Sequence, residues 1–258
     1  MSAYGAISCV PRTSYLPSTI WPHPAPDNPN QRKDNSNTIC IHHIDLQFAI
    51  KQEHEGLFEY LHVVFADEVD KGMTYPQEDM RDPATFANYF FAADVIVAIV
   101  GARSPDEDTP VGMSTSEVNE AVREVNLSLE ASRRGRSWAE CIAGFYYVKP
   151  NYPGRSSHIC NAGFVVPPTQ RGRGYGRVLA KSYLHYAPRL GYKASIFNLV
   201  YVNNEASIRL WENLGFIKAG RIPKAGRLKR SDGKGEEYVD AWVFYRSFSD
   251  SGSEGEAP

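Results

Sequence analysis

The sequence predicts a mixed α/β (α+β) domain, on three observations. Apolar, β-type runs alternate along the chain with segments of helical period. The helical segments carry their own start and stop residues. One apolar run, "NAGFVV", passes through two prolines into a glycine-rich turn and then an amphipathic helix, "PPTQRGRGYGRVLAKSY". Helices interleaved with strands of this kind give a mixed central sheet with flanking helices.

Taken in order, "ICIHHIDLQFAI" (39–50) reads as a first strand. In "EHEGLFEYLHVVFADEVDKG", Leu57, Tyr60, Leu61, Val64 and Phe65 fall on one helical face, and Gly72 closes the helix. "DPATFANYFFAAD" is a second helix, capped by Asp82 with Pro83 at its first position. "DVIVAIVG" is a buried strand. "ECIAGFYYVKPN" and "HICNAGFVVP" are two more, joined by the turn "NYPGRSSH". "ASIFNLVYV" is a further strand, followed by a helix capped by Asn204 and stopped at Gly215. "EYVDAWVFYRSF" follows the turn "SDGKG" as the closing strand. Residues 103–139 form a polar insertion in which Ser114 and Glu117 fit a capping box. Residues 1–37, with six prolines between Pro11 and Pro29, read as a flexible arm, and residues 249–258 as an acidic, disordered tail. The folded domain is expected over residues 38–248.

The chain has 258 residues, 42% hydrophobic and 22% charged, with a formal net charge of −2. That balance argues against a phosphate-backbone binder, which needs a basic face. The basic group Arg133, Arg134 and Arg136 reads as a solvated loop or helix end. No apolar run reaches the ~18 residues of a membrane span. Cys9, Cys40, Cys141 and Cys160 show no CxxC spacing, so neither a zinc site nor a disulfide framework is expected, and the chain reads as intracellular and cytoplasmic. The acid-poor N-terminus leaves a mitochondrial location open, although only Arg12 supplies positive charge before Asp27.

The glycine-rich turn fails the Walker A pattern, because Lys181-Ser182 follows Ala180. It also fails the dinucleotide fingerprint, because Gly172, Gly174 and Gly176 give GxGxG. What remains is [QR]xxGx[GA], filled by Arg171, Gly174 and Gly176. Unpaired N–H groups and the positive end of the macrodipole at a helix start suit a pyrophosphate. Glycines permit close approach, and Arg171, Arg173 and Arg177 can add charge-assisted hydrogen bonds. The helix presents Tyr175, Val178, Leu179, Ser182, Tyr183 and Tyr186 on one face.

With "NNEASIRLWENLGF" some thirty residues on, the sequence resembles the GNAT acetyltransferase superfamily over roughly residues 40–247. "TYP" (Thr74 to Pro76), "YYVKPNYPGRSSHICNAGFVV" and "FNLVYVNNEASIRLWENLGF" are similar to a fungal branch that detoxifies proline analogues such as azetidine-2-carboxylate. The resemblance implies a GNAT fold, in which two parallel strands, here "CNAGFVV" and "FNLVYV", splay apart around acetyl-CoA, the acetyl donor. It implies a cofactor site of Phe164, Val165, Val166, Arg171, Gly172, Arg173, Gly174, Tyr175, Gly176, Arg177, Asn204 and Trp211. The pantetheine arm would bond freed backbone groups around Phe164 to Val166. N–H groups near Val165 and Val166 would face the thioester oxygen as oxyanion donors. The family's branch also implies a homodimer, which nothing in these residues demands.

Three asparagines are expected to carry the chemistry: Asn161, Asn198 and Asn204. Asn198 stands in an otherwise apolar strand, alternating with Ile196, Val200 and Val202, and a buried amide needs partners. Asn161 and Asn198 are also expected, with Tyr75, to bind the amine substrate. The plain alternatives are a turn residue, a satisfied core amide, an N-cap and a packed aromatic. The position where many family members carry a tyrosine acid is here Trp211, whose indole N–H cannot give up its proton usefully. Tyr183 and Tyr201 are the alternatives. No base is assigned: His158 falls on the opposite strand face from Asn161, and His42-His43 cannot converge on a metal from adjacent strand positions. The expected reaction is direct acetyl transfer to a small-molecule amine, without metal, nucleic acid or membrane. The competing readings are another amine (a polyamine, an aminoglycoside or a protein N-terminus) and a non-catalytic acyl-CoA-binding protein.

Overall fold

The computed structural model describes residues 14–22, 38–101 and 122–248. Nine strands among these residues form one sheet in the order β4-β1-β2-β3-β5-β6-β7-β9-β8. The strands are β1 (Ser18–Pro22), β2 (Thr38–Ile44), β3 (Asp94–Val100), β4 (Arg123–Val125), β5 (Ile142–Pro150), β6 (Ile159–Val165), β7 (Ala194–Tyr201), β8 (Ile217–Lys229) and β9 (Glu236–Ser247). All neighbours are antiparallel except β6 and β7.

Helices cover both faces, so the central strands are buried on both sides and their sequences are continuously apolar. On one face lie α1 (Leu46–Ala49), α2 (Leu57–Asp70) and α3 (Pro83–Phe90), around a core of Leu61, Phe65, Phe86, Phe90, Val97 and Phe145. α4 (Leu129–Arg133) and α5 (Trp138–Cys141) close the edge of that core through Leu129 and Trp138. On the other face lie α6 (Tyr175–Arg189) and α7 (Glu205–Asn213), packed through Leu179, Tyr183, Tyr186 and Trp211. The expected caps are present: the Asp82 carboxylate accepts the Thr85 N–H at 2.7 Å, and Asn204 Oδ1 accepts the Ser207 N–H at 3.1 Å.

Several expectations are corrected. The run 39–50 is not one strand, because Asp45 caps α1 through the Phe48 N–H and ends β2. Part of the expected arm is a strand: β1 pairs with β2 and β4, and Trp21 is fully buried. The polar insertion holds β4, α4 and α5, with a capping box at Ser137 and Glu140. The box expected at Ser114 and Glu117, the acidic tail 249–258 and Cys9 lie outside the described residues. β8, with Pro223 and many charges, has no apolar pattern to betray it and is ordered by its ladder with β9. Arg133 and Arg136 are not simply solvated: Arg133 stacks 4.1 Å from the Trp138 ring, and Arg136 donates to the Val100 carbonyl at 2.7 Å. Among the described residues no helix is long and apolar enough to cross a membrane.

Candidate active site

β6 and β7 pair only at Ile159↔Ala194 and Cys160↔Ser195, and beyond these residues the two strands part. Tyr183 of α6 clasps the fork: its hydroxyl donates to Ser195 Oγ at 2.6 Å and lies 3.1 Å from Cys160 Sγ. Tyr183 is fully buried, and burial pushes its pKa well above the ordinary value. It is a strand clasp, which removes it from the candidate acids.

The chain leaves β6 through Pro167 and enters α6 at Gly174, so the α6 N-terminus stands at the open end of the fork. Gly172 and Gly174 have φ of 75° and 76°, which only glycine adopts without strain. The first turn of α6 begins with the Arg177 N–H on the Gly174 carbonyl, so the N–H groups from Gly172 to Gly176 precede it. Gly176 has no positive φ, and a Cβ there would meet nothing within 4 Å. Neither backbone nor internal packing demands that glycine, although it weakens the helix by ~1 kcal/mol relative to alanine. Arg173 and Arg177 are exposed beside it, and the Tyr175 side chain is buried, leaving its backbone to the loop.

Arg171 departs from the expected phosphate ligand. Its guanidinium donates to Glu68 at 2.6 Å and to the Val166 carbonyl at 3.1 Å, tying the loop to α2. Burial raises the Glu68 pKa, but hydrogen bonds from Lys71, Thr74 and Arg171, with the Arg171 charge, outweigh it and hold the group below its ordinary value. Tyr75 donates to the Phe164 carbonyl at 3.0 Å. Two carbonyls in the stretch expected to bond a pantetheine arm are therefore already held by side chains. The Val165 side chain packs into the α2–α3 core.

The mouth of the fork is lined by aromatic rings. Phe164 lies 5.1 Å from Trp211, which lies 4.4 Å from Phe197. Trp211 donates its Nε1–H to Ser207 Oγ at 3.0 Å, so it contributes a buried wall rather than a donor.

The asparagines converge. Asn161 Nδ2 donates to Asn151 Oδ1 at 2.8 Å, and Asn198 Nδ2 donates to the same oxygen at 2.6 Å. Asn198 reaches it because β7 bulges: Asn198 and Leu199 together oppose one residue of β9, between the pairs Phe197↔Phe244 and Val200↔Trp242. The expected alternation with Val200 is therefore broken, and Val200 packs in the α6 core with Phe197. Asn204 stands apart as the α7 cap, with its NH₂ left over. Asn151 escaped the sequence reading because "PNYPG" looks like a turn. Asn161 Oδ1, Gln77 Oε1 and the Tyr201 hydroxyl are buried without a hydrogen-bond partner among the described residues.

This face of β6 is walled by Tyr147, whose ring would lie 2.5 Å from a Cβ at Gly163, and by Tyr89, bonded to Tyr147 at 3.0 Å. Lys149, the cross-strand neighbour of Asn161, lies over both rings and donates to the Tyr89 carbonyl at 2.9 Å. The roof is the α2–α3 loop, pinned to β8 by the Lys229 N–H on the Gly72 carbonyl at 2.8 Å and by Arg227 on Glu78 at 2.8 Å. His158 is exposed. His42 is buried on Ser18 and Ser132, and His43 on Asp94, on opposite sides of β2. Burial pushes the Cys40 and Cys160 thiols up to about 12 and Cys141 to about 11, so none of the three is a thiolate nucleophile at neutral pH.

Residues 54–216 match the acetyltransferase (GNAT) family. The N-acetyltransferase aca1 of Schizosaccharomyces pombe is 38% identical over 220 residues, 85% of this chain and 93% of the relative. Protein SPT10 of Saccharomyces cerevisiae is 28% identical over 75% of this chain and 32% of its own length. Among solved structures, a GCN5-related N-acetyltransferase from Kribbella flavida superposes with a TM-score of 0.54 at 21% identity, covering 80% of this chain and 97% of that one. The putative acetyltransferase yncA from Salmonella typhimurium, solved with acetyl-CoA, gives 0.54 at 14% identity, covering 85% and 99%. These likenesses agree with the fork and its glycine turn: the chain belongs to the acetyltransferase (GNAT) family and is an acetyl-CoA-dependent N-acetyltransferase.

Proposed function

We propose that the enzyme acetylates the amine of a small amino acid, of the kind represented by L-azetidine-2-carboxylate and other proline analogues. The observation that carries this reading is the carboxamide cluster of Asn151, Asn161 and Asn198, on the face roofed by the α2–α3 loop and the β8–β9 hairpin. A roofed face lined by neutral amides and tyrosines suits a compact polar acceptor better than an extended peptide.

In this reading the N–H groups from Gly172 to Gly176 hold the diphosphate of acetyl-CoA, helped by Arg173 and Arg177. Arg171 holds the loop against α2. Phe164, Phe197 and Trp211 wall the fork that admits the thioester. Asn161 and Asn198 hold the amine, whose lone pair attacks the thioester carbon. N–H groups near Val165 and Val166 meet the oxyanion, where one well-placed donor is worth ~3–4 kcal/mol. The carbon–sulfur bond then breaks, coenzyme A leaves with the sulfur electrons and is protonated to the thiol, and the amine gives up its proton to water. Tyr201, whose buried hydroxyl has no hydrogen-bond partner among the described residues, is the candidate donor to sulfur. Asn204, which caps α7 through its side-chain oxygen, is the third asparagine of the proposed site. Exposed Ile217 and Ile222 on the free edge strand β8 support a homodimer, which we place in the cytoplasm.

The test is coenzyme A release from acetyl-CoA across a panel of amines. Turnover is expected with azetidine-2-carboxylate and related secondary amines. Turnover confined to polyamines or protein N-termini would move the acceptor, and binding without turnover would make the chain a non-catalytic acyl-CoA binder.

A further inference from the structure

A carboxamide oxygen has two lone pairs and its nitrogen two protons. Both lone pairs of Asn151 Oδ1 are used, by Asn161 Nδ2 at 2.8 Å and by Asn198 Nδ2 at 2.6 Å. Asn151 is itself fixed: it is 8% exposed, and its backbone N–H donates to the Ile159 carbonyl at 2.8 Å, where β5 and β6 end their ladder. One oxygen thus bridges the two strands that separate beyond Cys160 and Ser195; Asn198 answers it reciprocally, taking the Asn151 Nδ2–H on its own Oδ1 at 3.4 Å, whereas Asn161 meets it with its NH₂ alone.

The consequence is directional. With its nitrogen committed, Asn161 must point Oδ1 the other way, and that oxygen is buried without a partner among the described residues. A buried acceptor left unpaired is costly, so it marks a place where a donor belongs. We propose that Asn151 is a positioning residue that sets the polarity of the acceptor site, so that Asn161 Oδ1 takes an N–H of the incoming amine and leaves its lone pair for the thioester. This rests on the small-amine reading above.

The test compares Asn151→Asp, which keeps an oxygen acceptor in place, with Asn151→Ala, which removes it. With azetidine-2-carboxylate as acceptor, Asn151→Ala should lower kcat about tenfold or more while the acetyl-CoA KM stays within about twofold, and Asn151→Asp should recover most of the loss. Independently of turnover, the side-chain NH₂ signals of Asn161 and Asn198 in a ¹⁵N spectrum, assigned by their loss in Asn161→Ala and Asn198→Ala, should shift and exchange faster in Asn151→Ala and stay protected in Asn151→Asp. Circular dichroism checks each fold, and the near-isosteric Asn151→Asp carries the test if Asn151→Ala does not fold. Asn151→Asp as inactive as Asn151→Ala, with its amide signals lost, would mean that the 3.4 Å donation from Asn151 Nδ2 to Asn198 Oδ1, rather than acceptance at Oδ1, fixes the cluster, and would overturn the proposal. So would an Asn151→Ala enzyme with unchanged kcat and unchanged amide signals. If the wild-type enzyme does not acetylate azetidine-2-carboxylate, the substrate reading fails, and the amide signals alone judge Asn151.

Discussion

Tyr183→Phe separates the scaffold of the fork from its chemistry. The substitution removes one hydroxyl and leaves the ring, which packs against Tyr146, Phe164 and Phe197. What is lost is the 2.6 Å hydrogen bond to Ser195 Oγ and the contact with Cys160 Sγ, both at the last residue pair joining β6 to β7. Ser195 is fully buried, so its hydroxyl loses a partner that water cannot replace. Leaving such a group unsatisfied costs about 1–3 kcal/mol. At this chain length each kcal/mol lowers Tm by roughly 2–4 °C. Differential scanning fluorimetry should show that drop, while kcat for acetyl transfer stays within about twofold. A kcat reduced about 100-fold at unchanged Tm would refute the reasoning, since it would make Tyr183 a proton donor in the reaction.

Other outcomes follow from the same geometry. Asn198→Ala should lose kcat with the fold retained, measured by coenzyme A release and circular dichroism; surviving activity would make the bulge amide structural only. Gly174→Ala forces a side chain onto φ of 76°, so it should destabilise by roughly 1–2 kcal/mol and raise the acetyl-CoA KM with little effect on the amine KM. Burial lowers the pKa of His42 to about 3 and of His185 to about 4, from an ordinary 6.5. The folded state therefore resists protonation that the unfolded chain accepts. The stability from these neutral rings is complete above pH 6.5 and falls as pH drops toward 4, by at most about 1.4 kcal/mol per unit per histidine. Denaturant melts of His185→Gln should show a shallower acid slope than the wild type; an identical slope would remove His185 from the explanation.

The helices α2, α3, α6 and α7 were legible because their signals are local. Asp82 and Pro83 announce α3, and Gly172 to Gly176 announce the start of α6. β1, β4 and β8 were not, because prolines and charges hide strands that exist through their ladders rather than their own pattern. At the site, Asn198 stood out as a polar residue in an apolar strand, whereas the bulge that turns it toward Asn151 is a property of its pairing with β9. Arg171 read as a phosphate ligand because nothing near it in the chain reveals Glu68, which reaches it from α2. Trp211 marked the place of a departed acid, but only packing shows it as a wall of the fork.

In the proposed reaction the N–H groups at the start of α6 grip the diphosphate of acetyl-CoA and so deliver its thioester to the fork. Calorimetric titration with acetyl-CoA and, in parallel, with S-acetylpantetheine, which keeps the thioester arm and lacks the diphosphate, tests it most directly. Acetyl-CoA should bind at least about 100-fold more tightly, a difference of about 2.7 kcal/mol. Equal affinities, or no heat with acetyl-CoA, would contradict it.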